Sequence, residues 1–164
     1  MNEIKQARAA IARWVMGWHE GTDYDYAAMC KFKAYRKPDN SLAGYTPISW
    51  RPDEKIDQSL QLAERLRELG HSYQITAYSE DANTAYQNQH CFMLKDEPSM
   101  FEWADTLEQA IYAVALQIAE RMEKEAEIVL PAVFGEDQPE IESVKAFGES
   151  FEGLVQHGEK EEKS

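Results

Sequence analysis

Cysteine is scarce in this chain and long apolar runs are missing, and both shortages restrict what the protein can be. The 164 residues include two cysteines, Cys30 and Cys91, with no CxxC pair. No disulfide framework is therefore expected, and we interpret both residues as reduced thiols of an intracellular protein. The first residues lack the apolar segment of a signal peptide, and no stretch is long and apolar enough to span a bilayer. The expected location is the cytoplasm.

Positive charge is also in short supply. The sequence has 17 lysines and arginines against 30 aspartates and glutamates, a formal net charge of −13. Binding to nucleic acid or to an anionic membrane requires positive surface, so we expect neither. An acidic surface attracts a basic partner instead, including a protein that normally holds nucleic acid. The alternative is a solvated acidic surface that binds nothing.

Catalytic and metal-binding motifs are missing as well. No GxSxG, Walker A or GxGxxG pattern occurs, so hydrolase, NTPase and dinucleotide functions have no support. The four histidines show no ligand spacing such as HExxH, and adjacent His90 and Cys91 would point to opposite faces of a strand. Acidic pairs such as Asp23 with Asp25 are typical of solvated turns. We expect no catalytic residue, no metal and no cofactor, and therefore a non-enzymatic protein.

Helical periodicity is the strongest positive signal. Apolar residues recur at helical spacing along residues 103–124: Leu107, Ala110, Ile111, Val114, Ala115, Ile118 and Met122. Asp105 and Thr106 precede this stripe and can cap the first backbone N–H groups. Two further helices are predicted, over residues 2–20 and over residues 50–70, each closed by a glycine.

Alternating segments between the second and third helices predict strands over residues 72–79, 89–95 and 100–103, and a shorter strand near 30–35. The predicted fold class is α+β. We expect a layered α-β-α sandwich with a small antiparallel sheet of about three strands between helices. An N-terminal helix and an acidic C-terminal helix or tail would be added to it.

The domain organisation follows from a change in composition near the C-terminus. Residues 1–130 are predicted to form a single α+β domain, with its core in 48–124. Residues 131–164 would be an acidic extension that is partly helical and ends in a disordered tail. Residues 128–134 form an apolar patch at the start of this extension, and Pro131 is expected to break that patch.

One segment, residues 26–45, combines basic and aromatic side chains, which suits a phosphate-bearing or base-stacking ligand. The candidate ligand-binding residues are Lys31, Lys33, Tyr35, Arg36, Lys37 and Tyr45. The alternative is an exposed strand whose lysines prevent pairing at its edge.

A second set of candidate residues would contact a protein partner. It comprises Trp14, Trp18, Glu140, Glu142, Glu149 and Glu152. Two tryptophans on one helix indicate a large buried or interface area. They either pack on the domain or form a self-association seam, which would give a homodimer. The glutamates belong to the acidic C-terminal third.

Residues 48–122 resemble the phage ABA sandwich domain family, which is found in phages and prophages. The similarity lies in Trp50-x-Pro52, in the run IDQSLQLAERLRELG and in WADTLEQAIYAVALQIAE after two strands. Glu108 stands where a proline is common. The resemblance implies a helix, an antiparallel sheet and a helix in layers, and little about activity, because the motif residues are caps and core.

These features together favour a phage or prophage accessory protein that acts by binding in the host cytoplasm. The most concrete hypothesis is an anti-CRISPR-like inhibitor whose acidic face occupies a nucleic-acid-binding surface of a host defence protein. Two alternatives remain open. One is a small-ligand binder that sequesters a nucleotide signal with residues 26–45, and the other is a structural phage protein that self-associates through Trp14 and Trp18.

Overall fold

The computed structural model describes residues 2–79, 85 and 89–133. The elements in chain order are α1 (Glu3–Trp14), β1 (His19–Asp25), β2 (Cys30–Arg36), α2 (Ile56–Glu68), β3 (Tyr73–Ala77), β4 (His90–Leu94), β5 (Phe101–Ala104) and α3 (Leu107–Val133). This is the predicted α+β class, and it is consistent with a small α+β sandwich. The chain forms two compact units, Met1–Lys124 and Glu125–Ser164. Of the second unit, the structure describes only the end of α3.

The strands form two antiparallel sheets. β1 and β2 make a hairpin, and β4 lies between β3 and β5 in a three-stranded sheet. The strands predicted near 30–35 and over 72–103 are confirmed. β1 was not predicted, because its sequence HEGTDYD offers almost no apolar alternation for a pattern to detect.

The predicted stripe of α3 is the centre of the core of the first unit. Its fully buried residues share that core with Ile11 of α1, Leu62 and Leu66 of α2, and Phe92 and Leu94 of β4. Each such aliphatic or aromatic side chain contributes about 1.5–3 kcal/mol when buried. Thr106 caps the helix as expected, since its Oγ1 accepts the Gln109 N–H at 3.3 Å.

Two helix ends differ from the sequence prediction. α1 stops at Trp14 instead of near residue 20, because Gly17 adopts a φ of +71° and the Trp18 N–H returns to the Ala12 carbonyl at 2.9 Å. α3 extends beyond the stripe predicted over residues 103–124 and continues to Val133, through the apolar patch that Pro131 was expected to break. None of the helices in the described ranges is both long and apolar enough to cross a membrane.

The start of α2 also differs, because the turns that follow Trp50 are not helical and the helix begins at Ile56. Gln58 stabilises these turns with its amide group. Its oxygen accepts the Arg51 N–H at 2.6 Å, and its nitrogen donates to the Ser49 carbonyl at 3.0 Å. The predicted end is confirmed, since Gly70 takes a φ of +98° just after α2.

A buried ion pair joins α1 to the turn before α2. The Arg8 guanidinium donates to both oxygens of Asp53 at 2.7 Å and to Glu54 at 2.6 Å. The hydrogen bond with Asp53 raises the pKa of Arg8 above its ordinary value, against the opposing effect of burial. The guanidinium therefore stays charged, and the two carboxylates compensate the cost of burying that charge.

Replacing Arg8 by alanine should lower the free energy of unfolding by about 3–5 kcal/mol, because Asp53 would remain charged and partly buried without its partner. Arg67→Ala is the control, since the Arg67 and Glu64 side chains are 66% and 49% exposed. Its cost should be about 1 kcal/mol or less. Urea unfolding followed by circular dichroism measures both, and equal losses would contradict a structural role for the Arg8 pair.

Candidate functional site

A cleft of about 550 Å³ opens beside the C-terminal end of α1. We call it the aromatic cleft. It is lined by Gln6, Ala9, Ala10, Arg13, Trp14, Trp18, His19, Glu20, Tyr35 and Glu123. These residues come from α1, from the connection after it that contains Trp18, from the hairpin and from α3. The volume lies within the range of about 300–1,000 Å³ that is typical of small-molecule sites.

Packing of aromatic rings fixes the inner wall of the aromatic cleft. Trp18 meets Tyr35 at 6.0 Å between ring centroids, stacks on Tyr45 at 5.7 Å and meets Trp50 at 4.8 Å. The turn at Gly17 makes this possible, because it ends α1 and returns the chain so that Trp18 reaches the core. Aromatic pairs at such distances contribute about 0.5–1.5 kcal/mol beyond the area they bury. These contacts therefore stabilise the inner wall, whose Trp18 and Tyr35 rings belong to the buried core.

Trp14 forms a less buried part of the lining. The guanidinium carbon of Arg13 lies 5.0 Å from its ring centroid, which is a cation–π distance. Its indole Nε1 is buried without a hydrogen-bond partner among the described residues. An unsatisfied buried donor costs about 1–3 kcal/mol. A bound molecule that supplied an acceptor to Nε1 would remove this cost.

The charged residues of the aromatic cleft are mostly acidic. Glu20 and Glu123 contribute carboxylates, against the single guanidinium of Arg13. Glu20 also forms an ion pair with Lys33 of β2, with 3.3 Å between Lys33 Nζ and Glu20 Oε2. Aromatic faces beside carboxylates favour a cationic group in the ligand or partner.

The six predicted ligand-binding residues do not converge on one pocket. Tyr35 lines the aromatic cleft, Lys37 lines a second cavity of about 370 Å³ and Tyr45 lines a third of about 190 Å³. The strand alternation of β2 places exposed Lys31 and Lys33 on the opposite face from Arg36. Their charges therefore point in different directions.

Arg36 is engaged within the hairpin. Its side chain crosses Gly21, where an added Cβ would lie 2.8 Å from the Arg36 Cδ, and reaches Asp23 at 3.7 Å. It also donates to the Asn40 carbonyl at 2.9 Å. Because Gly21 has no side chain, the Arg36 side chain can cross β1 at this position and pair with the Asp23 carboxylate.

Of the predicted partner-binding residues, Trp14 and Trp18 both line the aromatic cleft. Glu140, Glu142, Glu149 and Glu152 lie outside the described residues. Neither cysteine forms a disulfide. Burial raises the pKa of the Cys91 thiol, so its reactive thiolate form is disfavoured.

One cluster was missed by the sequence analysis. His71 Nδ1 lies 2.8 Å from Asp96 Oδ2 and 3.8 Å from Glu97 Oε1. The hydrogen bond with His71 holds the pKa of Asp96 below its usual range. His71 and Asp96 are 25 residues apart, so no local spacing reveals them. The informative signal is the pairing of Tyr73 with Leu94, which brings the flanking residues together.

The phenol of Tyr35 gives a prediction for alkaline pH. Burial first, and the charge of Glu20 second, raise its pKa from 10.0 to about 12. The folded state therefore retains the proton over an interval in which the unfolded chain loses it. The contribution of the Tyr35 phenol to the free energy of unfolding is fully present below pH 10, and it should fall as the pH rises towards 12. Tyr35→Phe should reduce that fall in unfolding experiments, and an unchanged pH profile would contradict the assignment.

Comparison with known proteins yields no match of the chain to a protein-family model, to a curated protein or to a solved structure. The similarity of residues 48–122 to the phage ABA sandwich family stays a prediction from the motifs.

Proposed function

We propose that this chain is a non-enzymatic accessory protein that acts by binding a basic protein. The proposed partner is a nucleic-acid-binding component of a host antiviral defence system. The chain would occupy the surface that normally holds nucleic acid, in the manner of an anti-CRISPR. The phage or prophage origin in this proposal is supported only by the family resemblance.

The observation that carries the proposal is that every arginine already has an internal partner. Six pair with carboxylates: Arg8, Arg36, Arg51, Arg65, Arg67 and Arg121. Arg13 lies over the Trp14 ring. A guanidinium held by a carboxylate must give up that pair before it can bind phosphate bidentately. The acidic excess, by contrast, remains unneutralised at −13.

The sequence places much of this excess near the C-terminus. Residues 134–164 include nine acidic and three basic residues. Charge of one sign accelerates encounter with a surface of the opposite sign and loses strength as salt screens it. Binding to the proposed partner should therefore weaken as ionic strength rises.

The aromatic cleft suits an anchoring side chain of such a partner. A lysine or arginine could lie against the ring of Trp14 while Glu20 or Glu123 pairs with its charge. A few buried aromatic and charged contacts commonly supply most of the binding energy of an interface. We propose that the cleft is this anchor.

The volume of the aromatic cleft favours small-ligand binding as a second candidate. Of the residues proposed for nucleotide binding, this cleft contains only Tyr35. A thermal-shift screen distinguishes the two functions, since ligand at 100 times Kd should add about 2.7 kcal/mol of stability. No shift with any nucleotide would reject that ligand class.

The main proposal predicts counter-defence activity in cells. The full chain, expressed in bacteria that carry a nucleic-acid-guided defence, should restore plating of a targeted phage. The double variant Glu20→Gln, Glu123→Gln should lose this activity, because both cleft carboxylates become neutral. Glu64→Gln with Glu68→Gln changes the net charge equally on α2 and should keep the activity.

Thermal melting of each variant separates loss of binding from loss of folding. Failure of the wild-type chain to protect phage against any member of a panel of such defences would reject the proposed partner class. Equal loss in both double variants would reject the aromatic cleft as the anchor.

A further inference from the structure

Three side chains at one end of the three-stranded sheet present metal-binding atoms to a common point. His71 precedes β3, and Asp96 and Glu97 follow β4. The antiparallel pairing of these strands brings both segments together. One ligand atom from each residue lies within 4.8 Å of the other two. We call these three residues the His71 cluster.

Neighbouring groups orient the two carboxylates. The Ser72 N–H donates to Asp96 Oδ1 at 2.9 Å, and Arg121 of α3 pairs with Glu97 Oε2. Each carboxylate thus has one oxygen held by a donor outside the cluster and the other directed at His71. Donors in this outer position fix the orientation of ligands in metal sites.

We propose that the His71 cluster binds one divalent transition-metal ion, and that zinc fits it best. The ligands would be His71 Nδ1, one oxygen of Asp96 and one oxygen of Glu97. An imidazole nitrogen combined with carboxylate oxygens suits zinc, whereas calcium and magnesium prefer shells made of oxygen ligands only. This inference does not depend on the proposed partner.

The distances between the ligand atoms support this choice. Bonds of about 2.0–2.2 Å in a tetrahedron put ligand atoms about 3.3–3.6 Å apart. The separations of 2.8 and 3.8 Å from His71 Nδ1 bracket that value, so small rotations of the side chains suffice. The His71, Asp96 and Glu97 side chains are 14%, 37% and 32% exposed. Water can therefore reach the fourth position.

Binding of zinc would replace the hydrogen bond between His71 and Asp96 with two bonds to one ion. The ion would join the chain before β3 to the turn after β4, and Arg121 would connect that turn to α3. The expected physical effect is therefore a metal-dependent rise in the melting temperature.

Calorimetric titration of the full chain with zinc chloride tests the proposal. We expect one ion per chain, with affinity at least about tenfold weaker in His71→Ala and in Glu97→Gln, because each loses one ligand. His19→Ala is the matched control, since it removes an exposed imidazole elsewhere and should bind as the wild type does. Zinc should raise the melting temperature of the wild type and of His19→Ala, but not that of His71→Ala.

Cobalt in place of zinc tests whether a cysteine is a ligand, because a cysteine ligand would produce a thiolate charge-transfer band. The expected spectrum lacks that band. Circular dichroism of the metal-free variants establishes that they are folded, and Glu97→Gln serves if His71→Ala is not. Absence of stoichiometric binding, wild-type affinity in both ligand variants, or a thiolate band would each overturn the proposal.

Discussion

The packing of Trp18 against Tyr35, Tyr45 and Trp50 is the interaction on which the rest of this structure depends. It connects the end of α1, the hairpin and the segment that leads to α2, and Tyr35 of the hairpin also forms backbone hydrogen bonds with Ala43 and Tyr45 of that segment. Trp50 is completely buried, so loss of this ring would leave a large cavity where these segments meet. The aromatic cleft has Trp18 and Tyr35 in its wall, and it exists because these rings are held in place.

Charge has different roles inside and outside this packing. The buried Arg8 pair ties α1 to the turn before α2, where an unpaired charge would be costly. Nearer the surface, the remaining ion pairs contribute little stability, yet they engage guanidinium groups that could otherwise bind phosphate. The chain as a whole carries a net charge of −13, so its exterior has an excess of negative charge. The proposed function follows from this distribution, because such a surface selects for a basic partner.

The sequence predicted the features that depend on local periodicity. The stripe of α3, the three-stranded sheet and the stop at Gly70 were predictable, since each follows from side chains close together in the chain. The end of α1 at Trp14 was not, because the apolar pattern continues to Trp18 although Gly17 reverses the backbone. β1 has almost no apolar signal and forms because β2 pairs with it.

The candidate sites were harder to predict, because they depend on which face of an element is buried. Alternation in β2 separates Tyr35 from Arg36, but it cannot say that Tyr35 faces the core. The sequence identified Trp14 and Trp18 as candidate partner-binding residues without showing that Glu20 and Glu123 lie beside them. His71 and Asp96 come together because of the register between β3 and β4, and no local sequence pattern predicts that register.

The proposed function requires that the acidic exterior compete with nucleic acid for a basic surface. Fluorescence anisotropy of labelled nucleic acid bound to the purified defence protein that the chain blocks tests this most directly. Added chain should release the nucleic acid, and more chain should be needed as the salt concentration rises. A stable complex in which the defence protein holds both the chain and its nucleic acid would contradict it.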